Sequence, residues 1–135
     1  MTRAELEHII DIEHIIEQDE EALCRFREMI LHPGHQKLTG LPGGGSGNGD
    51  RIGDAVSRTE ELVARIEEER RELDALRAEV YAFCMEIADI HIRGIVVNRF
   101  FNLLSWREVA GRAGGGNTED SVRKAYIRWA ERNLE

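Results

Sequence analysis

Two long segments of this chain repeat apolar residues at alternating spacings of three and four, and a glycine-rich stretch separates them. The first segment runs from Ile9 to Ile30 and the second from Ala55 to Ile90. Such heptad spacing places the apolar side chains on one stripe of a helix, which another helix must cover. The pattern therefore predicts an all-α protein with two long helices.

The stretch between the two segments, 33–53, contains LPGGGSGNGD and has no apolar periodicity. Glycine disfavours helix by about 1 kcal/mol relative to alanine, so both helices are expected to stop there. A flexible loop of this length lets the second helix fold back on the first. We therefore predict an acidic antiparallel helical hairpin of coiled-coil type over 1–90, with Ile9 facing Leu76 and Leu23 facing Leu62. Helix pairing between two chains is the alternative, and a homodimer is the expected assembly.

The seam of the predicted hairpin has two polar residues, Asp19 and Glu69, in adjacent layers. A buried carboxylate without a partner is costly. Both side chains are therefore expected to tilt outward, toward Arg65 or Arg70.

Charge is divided unevenly along the chain, whose net charge is −8. Residues 1–91 carry 10 basic and 21 acidic side chains, a net charge of −11, whereas residues 92–135 carry 8 and 5, a net charge of +3. This asymmetry favours a basic working module on an acidic scaffold, with nucleic acid as the partner of the basic part.

The cysteine pattern and the apolar runs indicate a cytoplasmic protein. Cys24 and Cys84 have no CxxC spacing, which favours two free thiols in a reducing compartment. No apolar run approaches the roughly 20 residues that cross a membrane. The acidic, amphipathic start does not resemble a signal peptide.

The sequence shows no catalytic constellation, so we expect no enzyme activity, no cofactor and no metal site. GGGSGNGDR lacks the lysine-serine step of a phosphate-binding loop, and no predicted strand precedes it. His32 and His35 form HxxH in the predicted loop without a further ligand, so exposed histidines explain them better than a metal site.

Denser hydrophobicity begins the C-terminal module, 91–135. Its first helix has one apolar face, made by Ile92, Ile95, Val96 and Phe100. Ser105 and Glu108 have the spacing of a capping box, which predicts the start of a second helix. That helix presents an apolar face made by Trp106, Val109, Ala110 and Ala113.

Gly114–Gly116 is expected to end the second helix, and Asn117 or Thr118 to cap a third helix over 118–132. Val122, Tyr126 and Trp129 predict its buried stripe, and the opposite side is basic. Together with the two preceding helices, this order predicts a helix-turn-helix that reads the major groove of DNA.

The runs RFF-x-LLSW-x-EVA and NTEDSVRKAY carry a resemblance. They resemble the fourth conserved region of bacterial sigma factors. They are more closely similar to small phage-encoded sigma-like transcriptional regulators of the ArpU/RinA type, which place a helical part before a C-terminal helix-turn-helix. The turn GGGNTEDS is longer than the link in ordinary sigma helix-turn-helices.

The resemblance implies phosphate contacts near the second helix and base or phosphate contacts on the third. We expect nine DNA-binding residues: Arg107, Arg112, Asn117, Thr118, Glu119, Ser121, Arg123, Lys124 and Arg128.

The predicted function is a sequence-specific transcriptional regulator of phage or prophage type, with double-stranded DNA as partner and RNA polymerase as a candidate second partner. The other sigma regions are lacking, so the resemblance implies an accessory activator or repressor. The alternatives are a phage small terminase subunit, which forms large rings on DNA, and a helical adaptor that binds no DNA.

Overall fold

The computed structural model of this chain is all-helical in the residues that it describes, 1–32 and 46–135, with the backbone alone for 46–49. The prediction of an all-α protein is thereby confirmed. The five α-helices are α1 (Arg3–Leu31), α2 (Ser46–Met85), α3 (Ile90–Val96), α4 (Trp106–Ala113) and α5 (Glu119–Asn133). Within the described ranges, no helix has the length and apolar character needed to cross a membrane.

The glycine-rich stretch is in part helical. α2 begins at Ser46, so residues 46–53 belong to this helix and not to the predicted loop. Helix propensity is a weak preference that packing overrides, and Ala55, 1% exposed, anchors this part of α2. The loop predicted over 33–45, together with the HxxH motif that ends at His35, lies outside the described residues.

The chain divides into two compact units, one of residues 1–13 and 72–135 and the other of residues 14–71. The division does not fall at residue 90, where the sequence pattern predicts the boundary between hairpin and C-terminal module. The first turns of α1 and the last turns of α2 instead belong with α3, α4 and α5.

The first unit has one continuous apolar core. α1 contributes Leu6 and Ile9 to it, and α2 contributes Val80 and Cys84. Burial raises the pKa of the Cys84 thiol to about 11, so this side chain is a thiol that packs as an apolar group. The remaining members of the core are Ile87, Ile92, Ile95, Val96, Phe100, Val109, Ala110, Val122, Tyr126 and Ala130. The buried face predicted for the first helix of the C-terminal module is thus correct.

α3 does not end as an ordinary α-helix but continues into a π-helical turn, Val97–Phe101. The Asn102 amide donates to the Val97 carbonyl at 2.9 Å, which closes this wider turn. The chain then leaves the helical conformation before α4.

The break between the π-helical turn and α4 is strained at Leu103. Its φ of 57° is the one positive φ of a non-glycine residue in the described part of the chain, a conformation that costs an L-residue about 1–2 kcal/mol. Two arginines hold the break in place. Arg77 Nε donates to the Phe101 carbonyl at 3.1 Å, and Arg99 Nη1 donates to the Leu104 carbonyl at 2.8 Å.

In the second unit, the seam residues of α1 and α2 bury a smaller apolar core, composed of Ile16, Ala55, Leu62 and Ile66. The sequence suggested that Arg70 would pair with Asp19 or Glu69. In the structure its ion pair is with Glu20. Asp19 keeps one carboxylate oxygen, Oδ2, buried without a hydrogen-bond partner among the described residues. The carboxyl group of Asp19 therefore stays at its seam position and does not turn outward to an arginine.

Candidate nucleic-acid interface

A capping box starts α4, as predicted. Ser105 Oγ accepts from the Glu108 amide at 3.2 Å, and Glu108 Oε1 accepts from the Ser105 amide at 3.2 Å and from the Ser105 hydroxyl at 2.9 Å. These hydrogen bonds from Ser105 lower the pKa of the Glu108 carboxyl. The start of α4 is thus fixed by two residues that were recognisable from their spacing.

Aromatic rings hold α4 and α5 against the π-helical turn. The Tyr126 ring lies 5.1 Å from the Phe100 ring and 5.6 Å from the Trp106 ring, centroid to centroid. Ala110 is buried, and its small side chain lets α4 approach its neighbours closely. Ala113, which the sequence placed on the same apolar face, is exposed because it lies in the last turn of α4, beyond this contact.

Three consecutive glycines with positive φ connect α4 to α5. Gly114, Gly115 and Gly116 have φ values of 61°, 59° and 80°. A Cβ at these positions would meet nothing within 4 Å, so the backbone conformation and not a lack of space requires glycine here.

The side chain of Asn117 closes this turn. Its Nδ2 donates to the Gly114 carbonyl at 2.7 Å, and its backbone amide donates to the same oxygen at 3.0 Å. Asn117, which the sequence predicts to bind DNA, thus also has a structural role in the turn.

Thr118 caps α5, and its partner in the cap is Ser121. The Thr118 hydroxyl accepts from the Ser121 amide at 3.1 Å. The Ser121 hydroxyl accepts from the Thr118 amide at 2.8 Å and donates to the Thr118 carbonyl at 2.9 Å. Both residues are exposed, but their hydroxyls are committed to the helix start. Glu119, the first residue of α5, is exposed beside them.

α5 has one buried and one exposed stripe. Val122, Tyr126 and Ala130 are buried, whereas Trp129, predicted to be buried with them, is only partly so and packs 6.3 Å from the Phe83 ring. Residues four apart in a helix share a face. Asp120, Lys124 and Arg128 therefore form a single exposed stripe opposite the buried one, which we call the outward stripe.

An ion pair lies on the outward stripe. Lys124 Nζ is 2.8 Å from Asp120 Oδ2, and both side chains are largely exposed. The hydrogen bond and charge of Lys124, and the charge of Arg123, lower the pKa of the Asp120 carboxyl. Asp120 lies in the first turn of α5, where a carboxylate also suits the helix dipole, and spacing alone does not tell which basic side chain it binds.

The basic residues after position 91 do not all serve one surface. Arg93 donates to the Ile87 carbonyl through Nε at 2.9 Å and Nη2 at 2.6 Å. Arg99 lies with its guanidinium carbon 4.9 Å from the centre of the Trp106 ring, and burial lowers its pKa. These two arginines hold the fold together, so the charge count overstates the cationic surface.

After position 91, four arginines are exposed and form no hydrogen bond or ion pair with the residues that the structure describes: Arg107, Arg123, Arg128 and Arg132. The sequence analysis missed Arg132, in the last turn of α5. Arg112 is also exposed, and its Nη1 donates to Asn98 Oδ1 at 3.3 Å.

No group of three or more histidine, cysteine or acidic side chains that could hold a metal ion occurs in residues 1–32 or 50–135. Comparisons of the chain with protein-family models, with curated proteins and with solved structures found no match.

Proposed function

We propose that this chain is a sequence-specific, double-stranded DNA-binding regulator of transcription, of phage or prophage type. In this proposal α4 and α5 form a helix-turn-helix with the glycine turn between them, and α5 enters the major groove. The observation that carries the proposal is the outward stripe of α5, which is exposed and basic while the opposite stripe is buried.

The major groove, about 12 Å wide, admits a single α-helix that presents side chains to the base edges. α5 has such an exposed side, with Lys124 and Arg128 on it. Arginines without an internal partner can neutralise phosphates and release counterions, which drives binding to DNA of any sequence. Arg107 at the start of α4 and Arg123 beside the stripe fit that role.

Sequence selectivity needs groups that read base edges. Glu119 is exposed at the start of α5, where a carboxylate can accept from the amino group of cytosine. Lys124 and Arg128 can bind guanine in the same groove. Asn117, Thr118 and Ser121 support these contacts indirectly, since their side chains fix the turn and the helix start.

The same proposal includes an antiparallel hairpin of α1 and α2, which serves as a surface for a second copy or for RNA polymerase. One ion pair and one contact between a histidine and a carboxylate support this arrangement. Glu20 binds Arg70, and His8 Nε2 lies 3.6 Å from Glu72 Oε1. These residues directly flank seam positions, where paired helices exchange ion pairs. The acidic surface of the hairpin would keep DNA away from it.

The test is fluorescence anisotropy with a labelled duplex of random sequence at several salt concentrations, followed by selection of tight sites from a randomised pool. Combined alanine substitution of Arg123, Lys124 and Arg128 should lower the slope of log K against log salt by up to about 3 units. The control replaces three exposed arginines of the second unit, Arg25, Arg65 and Arg71, and removes the same charge.

An equal change in the salt slope of both variants would show that only net charge matters. The DNA-binding face would then not include α5. Light scattering of the same samples tests the assembly. A monomer or dimer fits a regulator, and a large ring would favour a small terminase subunit instead.

A further inference from the structure

We infer that Asp120 limits sequence-independent DNA binding by α5, because its carboxylate holds Lys124 and so competes with DNA phosphates for this lysine. This inference rests on the proposed function. It assigns a role to a residue that is not itself among the expected DNA contacts.

The geometry of the pair fits a contact that opens when DNA arrives. The side chains of Lys124 and Asp120 are 65% and 68% exposed, and the 2.8 Å contact joins positions four apart on one helix. Ion pairs that are this exposed contribute little to stability. The ammonium group is therefore readily exchanged between the carboxylate and a phosphate.

The position of Asp120 makes the effect independent of sequence. A carboxylate on the outward stripe repels the phosphates of every duplex, whatever its bases. The repulsion therefore lowers the affinity for DNA of any sequence and leaves discrimination between sites to the base contacts.

Asp120 also lies in the first turn of α5, where a negative charge stabilises the helix through its dipole. A purely structural role predicts that removal of the charge lowers the melting temperature and leaves DNA affinity unchanged or weaker. Competition between Asp120 and DNA phosphates for Lys124 predicts tighter binding to random DNA when the charge is removed. The two roles therefore have opposite signatures in the binding assay.

The experiment compares Asp120→Asn with Glu131→Gln, measured by anisotropy on a short random-sequence duplex at several salt concentrations. Glu131 is an exposed carboxylate near the other end of the same helix. It forms no ion pair with the described residues, and its charge acts on Arg3, whereas that of Asp120 acts on Lys124. Asp120→Asn should bind about two- to fivefold more tightly than wild type, the size of an exposed charge interaction. Its salt slope should steepen by up to about 0.9, because Lys124 gains a phosphate.

The second comparison uses Lys124→Ala as the starting protein. When Asp120→Asn is added to Lys124→Ala, most of the gain in affinity should be lost, because the lysine that the substitution frees is absent. Asp120→Ser, which removes the same charge and suits a helix start, replaces Asp120→Asn if circular dichroism shows that the asparagine variant is misfolded.

An equal gain from Asp120→Asn and Glu131→Gln would overturn the inference, because net charge alone would then explain it. No gain from Asp120→Asn or Asp120→Ser would overturn it as well, while the proposed function would stand as long as wild type binds. Failure of wild type to bind the duplex at low salt would overturn the proposed function and this inference with it.

Discussion

At the scale of single residues, Trp106 connects the start of α4 to the core of the first unit. Its ring lies 5.6 Å from the Tyr126 ring and 6.5 Å from the Phe100 ring, and the Arg99 guanidinium covers it at 4.9 Å. The indole is only partly buried, and it packs both against the core and against the guanidinium of the half-buried Arg99.

Trp106→Ala should therefore lower the free energy of unfolding by about 3 kcal/mol, the lower end of the range for removal of a large core aromatic. Urea unfolding followed by circular dichroism measures it. Trp106→Phe, which keeps a ring against Tyr126, is the matched control and should lose less. A loss below about 1 kcal/mol for Trp106→Ala would mean that the indole is available to a partner.

The sequence pattern could not assign the roles of Thr118 and Ser121. Thr118 and Ser121 have hydroxyls that suit either a phosphate or a helix cap, and only the positions of the neighbouring amides decide between these uses. The structure gives both to the cap. Asp120 shows the opposite case, since its position in the first turn of α5 is typical of a helix-start charge and the structure adds the bond to Lys124.

At the scale of elements, local rules predicted the helix boundaries that depend on residues within one turn. The capping box of Ser105 was recognisable in the sequence, and the cap of α5 was narrowed to Asn117 or Thr118. The start of α2 at Ser46 was not recognisable, because the glycines around it indicate only a low intrinsic preference for helix. The π-helical turn and the strained Leu103 depend on Arg77, far away in sequence, and no local pattern signals them.

The capping box of α4 predicts a dependence of stability on pH. Hydrogen bonds from Ser105 lower the pKa of Glu108 below its ordinary value of 4.5 in the folded protein. The resulting stabilisation is present above pH 4.5 and is lost as the pH falls through the lowered pKa of the folded state. Glu108→Gln can keep the hydrogen bonds of the box but cannot titrate.

We therefore expect the urea midpoint of Glu108→Gln to fall less than that of wild type between neutral pH and a pH below 4.5. Glu79→Gln, at an exposed position of α2, is the control and should follow wild type. Parallel acid dependence in wild type and Glu108→Gln would refute a role of the Glu108 charge in capping.

At the scale of the whole molecule, the core of the first unit joins residues from both ends of the described chain. Leu6 is fully buried in the cluster that contains Tyr126 and Ala130, and the Arg3 amide donates to the Glu135 carbonyl at 3.2 Å. The heptad pattern of α1 predicted a partner for Ile9 on α2. It could not predict that α3, α4 and α5 share this core, because that contact joins surfaces that are far apart in sequence.

Leu6→Ala should lower the free energy of unfolding by about 3 kcal/mol, as expected for a buried leucine. Leu31→Ala, at a side chain that is 72% exposed, is the control and should change it by less than about 0.5 kcal/mol. Both tryptophans of the chain lie in α4 and α5. Their fluorescence therefore reports whether a change in α1 is felt by the candidate DNA-binding helices, and an unshifted transition would show that it is not.

The shared core also has a consequence for folding during synthesis. A ribosome makes every residue of the second unit, 14–71, before it makes α3, so this unit can collapse early. Leu6 and Ile9, although they are made before the second unit, find their final neighbours only when α5 has emerged. We therefore expect that in a nascent chain that stops before α5 these two side chains are exposed, so that a chaperone can bind them.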